Sequence, residues 1–524
     1  MLINDINEIE NNKNKGFLSI LLGAYVVSIV LGLPLVFRDR YFDILVFKYY
    51  YYCFCTIVMI LLLLLYFIVK KFKYRKSINY VKKIKESISK FTFLDRCIII
   101  YWFIAFISTI SSNYVYEAFW GNEGRFTGLF LITLYVLSYF CVSRFYIYKN
   151  WYLDLFLLGG AVVCLFGISD YFNMDILHFK VGMVPEQKDI FTSTIGNINT
   201  YTSYVGILTA ISSVLFSKEE RPIKRLFYYF CMVISFFAII MGVSDNAYLS
   251  LMILFGFMPL YLFNKKIGVQ RYLVIIASFF TVIQCISWIN NAFSDSVVGI
   301  DSAFKIILGF KYLHLMLILL WSVILVWIFI TKKKQTATKD LGNTIRFVWL
   351  GILGFGVIVM MYILYDCNIA GNDEKYSVVK NYLLINDDWG TNRGYIWRNA
   401  IESYNKLPFW NKLIGYGPET FGILLLKVTA NNKYHQLFDS AHNEYLHTLI
   451  TVGFLGLVTY ISIIITFIKD CFKYKKNNHY IIAIAFGVIC YITQATVNLS
   501  VPIVTPLLWL LMGIGSTKKV MYYN

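Results

Sequence analysis

Apolar residues along this chain fall in long uninterrupted blocks separated by short polar stretches. Leu18–Val36, Ile57–Val69, Ile98–Ile110, Leu129–Val142, Leu153–Ile168, Phe227–Val243, Leu249–Phe263 and Ile481–Ile492 are the centres of such blocks. A run of roughly 18–20 apolar residues spans a bilayer as a helix, because hydrocarbon offers backbone N–H and C=O groups no partner outside their own segment. The pattern predicts about 14 spans, centred on 17–36, 46–69, 97–113, 128–147, 151–172, 199–216, 226–243, 247–263, 272–290, 312–330, 346–366, 444–468, 480–497 and 501–516. The predicted fold class is an all-α polytopic membrane protein with one large external loop containing short helices. Its parts are an N-terminal transmembrane bundle of about 11 helices (1–366), the loop (367–443) and the C-terminal transmembrane helices (444–524).

Charge gives the expected orientation. Cytoplasmic loops of membrane proteins are enriched in Lys and Arg. Loop 70–96 is strongly basic, and alternate loops after it are basic too: Arg144 and Lys149; Arg221, Lys224 and Arg225; Lys265, Lys266 and Arg271; Lys332–Lys334; Lys469, Lys473, Lys475 and Lys476; Lys518 and Lys519. Both termini are therefore expected in the cytoplasm, and 37–45, 114–127, 173–198, 244–246, 291–311, 367–443 and 498–500 outside. The N-terminal stretch Met1–Gly16 lacks the basic start and small-residue cleavage site of a secretory signal, so the first span is expected to be retained.

Composition sharpens this picture at two points. Of the 524 residues 58% are hydrophobic and only 15% charged, against about a quarter charged in soluble domains, which excludes a soluble reading. The net charge of +18 sits in short interspan blocks, not on a nucleic-acid-binding face. The ten cysteines are scattered, mostly within spans, and show no metal-ligand spacing.

Candidate chemistry collects on the expected outer side. Segment 121–128 holds Arg125; segment 192–204 holds Asn197 and Asn199; Asn246 precedes a span. The long loop holds Arg393 and Arg398, then Glu419 in Gly415-Tyr-Gly-Pro-Glu-Thr-Phe421, and closes on His442-Asn443 at the mouth of a span. Outward arginines run against the positive-inside bias. A guanidinium binds phosphate bidentately, and a histidine near its ordinary pKa of about 6.5 can accept a hydroxyl proton near neutral pH. Such a set suits a lipid-linked diphosphate, with its tail between helices and its sugar against the loop. Plainer readings exist for single residues. Arg125 or Arg393 could pair with Glu123 or Asp388, or with anionic lipid headgroups. Gly196-Asn-Ile-Asn199 has the form of a turn and helix N-cap, which fits Asn better than catalysis does. His442 and His447 are five apart, not the four of a zinc helix, so no metal site is read there; His435 and His447 read as incidental. Ile396, Trp397, Ala400, Ile401 and Tyr404 recur at helical spacing, predicting an amphipathic helix on the membrane surface.

These elements together resemble the O-antigen ligase/polymerase superfamily of bacterial membrane glycosyltransferases. His442-Asn443 is followed after nine residues by Gly453 and then Gly456, as in that family's His-Asn-x9-Gly-x-x-Gly signature. Arg393…Trp397, Gly415…Phe421, Thr192–Tyr204 and Gly124-Arg125-x-x-Gly128 resemble its other elements, in order, over roughly 120–460. One element departs: Ser244-Asp245-Asn246-Ala247 stands where the family commonly has Ser-Arg-Gly-Ala, so Arg125, Arg393 and Arg398 are the alternatives for the donor phosphate. The resemblance implies inverting transfer of an oligosaccharide from a polyprenyl-diphosphate donor to a glycan, lipid or protein acceptor. The reaction is placed on the outer face of the bacterial cytoplasmic membrane and needs neither metal nor other cofactor. His442, Arg393 and Arg125 are then the catalytic candidates, and Arg398, Asn443, Asn197, Asn199, Asn246 and Glu419 the substrate-binding ones. The rival class is a flippase of the same lipid-linked glycan, against which stand the lack of repeat halves and the location of the polar residues at one face.

The alternation of basic loops makes a direct prediction. A cysteine at position 433, replacing Lys433 in a background free of other accessible cysteines, is expected to react with a membrane-impermeant maleimide in intact cells. Labelling only after permeabilisation would reverse the topology.

Overall fold

The computed structural model describes residues 16–74, 91–122, 124–301, 304–334, 339–474 and 478–517. Glu123 and most of the basic residues of loop 70–96, together with Lys475, Lys476, Lys518 and Lys519, lie outside the described residues. The chain is an all-α multi-pass membrane protein. The described β-structure is a two-residue antiparallel pair, Phe191–Thr192 with Gly196–Asn197, and an isolated bridge between Lys265 and Asp340. Each of the fourteen predicted apolar segments falls on helix. Nine of the described helices are long and apolar enough to cross a membrane, against the fourteen crossings expected. Four more are apolar but only 10–17 residues long. At 1.5 Å per residue the shortest of these reaches only about 18 Å, less than a hydrocarbon core of roughly 30 Å.

The helices that position the site are α1 (Phe93–Ile110), α2 (Leu129–Phe145), α3 (Ile198–Lys218), α4 (Ala247–Leu262), α5 (Thr344–Asn368), α6 (Trp389–Lys406), α7 (Glu444–Thr451), α8 (Gly453–Tyr474), α9 (His479–Gln494) and α10 (Thr505–Ser516). Helix α3 runs through the middle of the bundle. All but three of its residues are buried, and it packs mainly on α9, α4 and Pro222–Met241. It carries Thr202, Ser203, Thr209, Ser212, Ser213 and Ser217. Protein encloses these hydroxyls; Thr209 and Ser212 hydrogen-bond back to backbone carbonyls four residues earlier. Gln494 of α9 reaches across to the Thr202 carbonyl and the Ser250 hydroxyl. By contrast α5 has its apolar window wholly unburied in protein, as a lipid-facing helix does.

Ion pairs tie helix ends at the end of the bundle bearing the short basic loops. Arg144 pairs with Asp95, which also caps α1 in a reciprocal box with Thr92. Lys224 pairs with Asp154 at 2.6 Å and Arg221 with Glu219 at 3.0 Å. The opposite end carries the long loop. Segment 367–443 contains Lys380–Leu383, α6, Phe409–Ile414 and Phe421–Thr429. The apolar face of α6 does not lie on a membrane surface as predicted. Ile396 and Ala400 enter a small core with Phe421, Leu425, Ala441 and Ile450, which buries the stripe inside the protein. Ile401 alone of the predicted stripe stays exposed.

The predicted span 444–468 is two helices. The chain breaks between Thr451 and Gly453, where Gly453 has φ +81°. A helix end leaves carbonyls without intrahelical partners. Here the loop supplies them: Tyr416 N–H donates to the Ile450 carbonyl at 2.9 Å and Gly417 N–H to the Thr451 carbonyl at 3.0 Å. The Ser108 hydroxyl of α1 donates to the same Thr451 carbonyl. The two backbones meet at glycines. A Cβ on Gly453 would lie 2.3 Å from the Leu413 carbonyl oxygen, and one on Gly415 2.2 Å from that of Thr451.

Gly453→Ala is therefore expected to destabilise the protein by at least the roughly 1–3 kcal/mol of a strained left-handed residue. Gly351→Ala, with open space around its Cβ on α5, should change stability by no more than about 0.5 kcal/mol. Thermal unfolding of both variants in one detergent checks the contrast; equal midpoints would remove the glycine contact from the account.

Candidate active site

Three separate segments meet above the break. The first is the turn before α2. Arg125 follows Asn122, whose carbonyl accepts from the Arg125 and Phe126 N–H groups. Its guanidinium then reaches Asp439, 314 residues away, through two hydrogen bonds of 2.7 and 3.2 Å. The second is the start of α6. Gly390, Thr391 and Asn392 all have positive φ, so the chain doubles back just before Arg393. Gly394 accommodates this, since a Cβ there would overlap the Asn386 carbonyl. The third is the stretch 439–443, held by Trp397, whose indole N–H donates to the Ala441 carbonyl at 2.8 Å.

His442 lies where these segments converge. Its backbone is left-handed, φ +45°. For a non-glycine residue that strain is uncommon and clusters at functional positions. Its N–H is held by the Ser440 hydroxyl at 3.1 Å, while the buried ring Nδ1 has no hydrogen-bond partner among the described residues. Burial first, then the positive charges of Arg125 and Arg393, push the imidazole pKa down to about 3; Asp439 opposes them. The ring is neutral at physiological pH, but it does not titrate near 6.5 as the sequence reading expected.

The three candidate arginines are not equivalent. Arg125 is neutralised by Asp439. Arg398 is turned away, over half exposed, and held by Asp387 through two bonds of 3.0 and 2.9 Å. Arg393 forms no ion pair among the described residues. One terminal NH2 group donates to the Gly390 carbonyl at 2.9 Å, and its buried Nε has no partner among the described residues. Burial lowers its proton affinity, and the charge of Asp245 acts against that. Asp245 is the residue at which this chain departs from the arginine of the resembling family, so Arg393 has come within electrostatic reach of that position. The Arg393–Asp388 pairing does not appear: Asp388 is taken by the Tyr434 hydroxyl and approached by Lys433; the Arg125–Glu123 pairing lies outside the described residues.

Glu419 follows the turn through Gly415 and Gly417 and is itself left-handed, φ +59°. It is buried, accepts from the Thr127 hydroxyl, and lies 3.9 Å from His447 Nε2. Burial raises its pKa to about 7, with Arg125 pulling it down and Asp439 pushing it up. Beside it is a small cavity of about 60 Å³, lined by Arg125, Thr127, Glu419, Glu444, His447 and Tyr460 among others. His447 is thus part of the site's wall, with Phe421 stacked on its ring, not incidental as its sequence position implied. Sequence reasoning also passed over Asp439 and Glu444. Glu444 is buried and accepts from the Tyr460 hydroxyl at 2.6 Å and the Tyr491 hydroxyl at 3.2 Å. Its one visible signal was a carboxylate set at the head of an apolar run.

The candidate asparagines have structural duties. Asn197 caps α3 through the Asn199 N–H, as the plainer reading had it. Asn443 caps α7 by accepting from the Tyr445 and Leu446 N–H groups, both at 3.0 Å, so its carbonyl oxygen is committed. Asn199 accepts from the Ser244 hydroxyl, and its backbone carbonyl from the Asn498 amide. Asn246 is buried beside Ser244 with its amide nitrogen unpartnered among the described residues. These four lie around the starts of α3, α4 and α7; none hydrogen-bonds His442 or Arg393 among the described residues.

No curated protein matches the chain. Residues 302–461, however, match the family model described as O-antigen ligase. That segment contains Arg393, Arg398, Glu419, Asp439, His442, Gly453 and Gly456, but not Arg125. The segment that carries the strained histidine and the broken helix beneath it is thus the part of the chain that is similar to the O-antigen ligase family.

Proposed function

We propose that this protein is a glycosyltransferase that moves an oligosaccharide from a polyprenyl-diphosphate donor to an acceptor hydroxyl at the outer face of the cytoplasmic membrane. The family supports a membrane glycan ligase- or polymerase-like role. The observation that carries the finer reading is the nearness of a buried guanidinium that has no carboxylate partner among the described residues, Arg393, to a buried neutral imidazole whose Nδ1 has no hydrogen-bond partner among them, His442. The first is chemically suited to an anion and the second to accepting a proton. A diphosphate bound at Arg393 has the sugar's anomeric carbon beside His442. The acceptor oxygen attacks that carbon as the carbon–oxygen bond to the diphosphate breaks. The electron pair leaves with the diphosphate, its charge held by Arg393, and the hydroxyl proton passes to the imidazole. Attack opposite the leaving group inverts the anomeric centre. The incoming anion also tunes the base: it offsets the positive potential of Arg393 and Arg125, so the imidazole becomes more basic when substrate is bound.

A positioned base contributes typically about 10²–10⁴-fold in rate. His442→Ala is expected to lose that much transfer while still inserting and binding donor, measured with purified variants in lipid. Wild-type activity in that variant would end the assignment and favour a flippase. The depressed pKa adds a pH signature. Activity requires the neutral ring, so the acid limb of kcat/KM should lie well below pH 6, towards 3. Asp439, Arg125 and Arg393 act on the ring by charge, and Glu419→Gln removes any inflection that Glu419 itself contributes near pH 7. In Arg393→Gln, which takes away one positive neighbour, the residual acid limb should move to higher pH.

The arginines divide in the same way. Arg393→Lys should lose activity nearly as far as Arg393→Ala, because one ammonium does not reproduce a two-pronged contact with phosphate. Arg398→Ala should retain most of it, its guanidinium being spent on Asp387. Donor binding and turnover assayed together check this; full activity in Arg393→Ala at normal protein levels would remove that residue from the mechanism.

A further inference from the structure

At the other end of the molecule a cleft of about 1040 Å³ opens between α4, α8 and α9. Its mouth is basic. Lys218 ends α3, Lys265 stands in the turn after α4, and Arg346 lies in the first turn of α5. Among the described residues none of the three pairs with a carboxylate. Lys218 Nζ sits 4.3 Å from the centre of the Tyr261 ring, and Arg346 donates to Asn343 at 3.2 Å. Three polar atoms at the same mouth are buried without hydrogen-bond partners among the described residues: Arg346 Nε, Asn264 Oδ1 and His479 Nε2. Glu219 and Glu220 are near enough to act on His479 by charge; Glu219 is itself held by Arg221.

Away from the mouth the walls turn apolar. Ile253, Phe257 and Leu260 come from α4, Ile468 from α8, and Ile489 and Ile492 from α9. Along α9 the lining runs from His479 to Thr493, about 21 Å at helical rise. That is well over half of a hydrocarbon core of roughly 30 Å. The site is thus a cationic socket leading into an apolar groove of acyl-chain depth. Basic loops alone, as the positive-inside rule gives them, need no such groove. Its volume is at the upper end of ligand pockets, about 300–1,000 Å³.

We propose that this cleft is a binding site for an anionic phospholipid, its phosphate headgroup held by Lys218, Lys265 and Arg346 and its acyl chains laid between α4 and α9. Basic pockets between membrane helices recognise acidic headgroups in this way. The site is separate from the candidate active site and does not depend on the reaction assigned there.

The test uses the full chain purified in a neutral detergent, with bound lipid counted by native mass spectrometry during titration with phosphatidylglycerol or phosphatidylcholine. Wild type is expected to hold one phosphatidylglycerol with clear preference over phosphatidylcholine. Lys218→Gln/Lys265→Gln/Arg346→Gln should weaken it on the order of a hundredfold, about fivefold per cation. The exposed Lys265→Gln alone, which leaves the bundle intact, should weaken it about fivefold. Ile489→Trp, which fills the groove and keeps every cation, should also displace the lipid. Equal retention of the two lipids by wild type, or an unchanged preference in both charge variants, overturns the proposal. So does displacement by millimolar inorganic phosphate combined with indifference to Ile489→Trp, which would mark a free-anion site.

Discussion

The architecture of the candidate site hangs on a broken helix. Had α7 and α8 been continuous, the carbonyls of Ile450 and Thr451 would have closed their own ladder and offered the loop nothing. Because the chain interrupts itself at Gly453, two carbonyls are left facing a loop that needs an anchor, and Tyr416 and Gly417 take them. The anchor is backbone to backbone and has no rotamers, so it fixes the loop tightly. Glu419 two residues later, and Phe421 beside His447, are positioned by it. The spacing from His442 to Gly453 and Gly456 is therefore more than a marker. His442 sits just before the N-cap of α7, and Gly453 marks where α7 ends and permits the docking; the eight-residue helix between them is the ruler that sets one against the other.

The charges over that helix are arranged asymmetrically. Arg125 and Asp439 neutralise one another and tie the turn before α2 to the end of the long loop, an ordering role that suits residues 314 positions apart. Arg393 is held by its backbone reversal with its charge largely unanswered. A buried cation without a carboxylate is costly in a low-dielectric setting unless something anionic arrives. In the proposed function, the potential that holds His442 neutral is also the one the donor's anion meets, which makes binding and activation of the proposed base one electrostatic event.

Much of this was legible in the chain. Bilayer thickness imposes a length on apolar runs, and so the fourteen helical segments could be placed before any contact was known. The approach of Arg125 and Arg393 to His442 was legible only through family motifs, since nothing local in 121–128 points to a partner in 439–443. The break in 444–468 was hidden because Val452-Gly453-Phe454 remains apolar, and hydropathy does not register a positive φ. The apolar stripe of α6 was read correctly as periodicity and wrongly as a membrane contact, because periodicity reports a buried face and not what buries it. His447 looked idle because its partners, Glu419 and Phe421, come from a turn more than twenty residues away. Asn197 and Asn443 were the reverse case: their chemistry is local, and capping explains what they do here.

Helix α3 carries a consequence for how the protein is made. Its six serines and threonines from Thr202 to Ser217 are buried in the protein, and it falls outside the helices apolar enough to cross a membrane by composition. A segment of that kind gains little by entering lipid alone. Its bond from Gln494, nearly three hundred residues downstream, is unavailable until α9 has been synthesised. The centre of the bundle is thus completed late, and insertion of this protein is a matter of assembly among helices as much as of partitioning one by one.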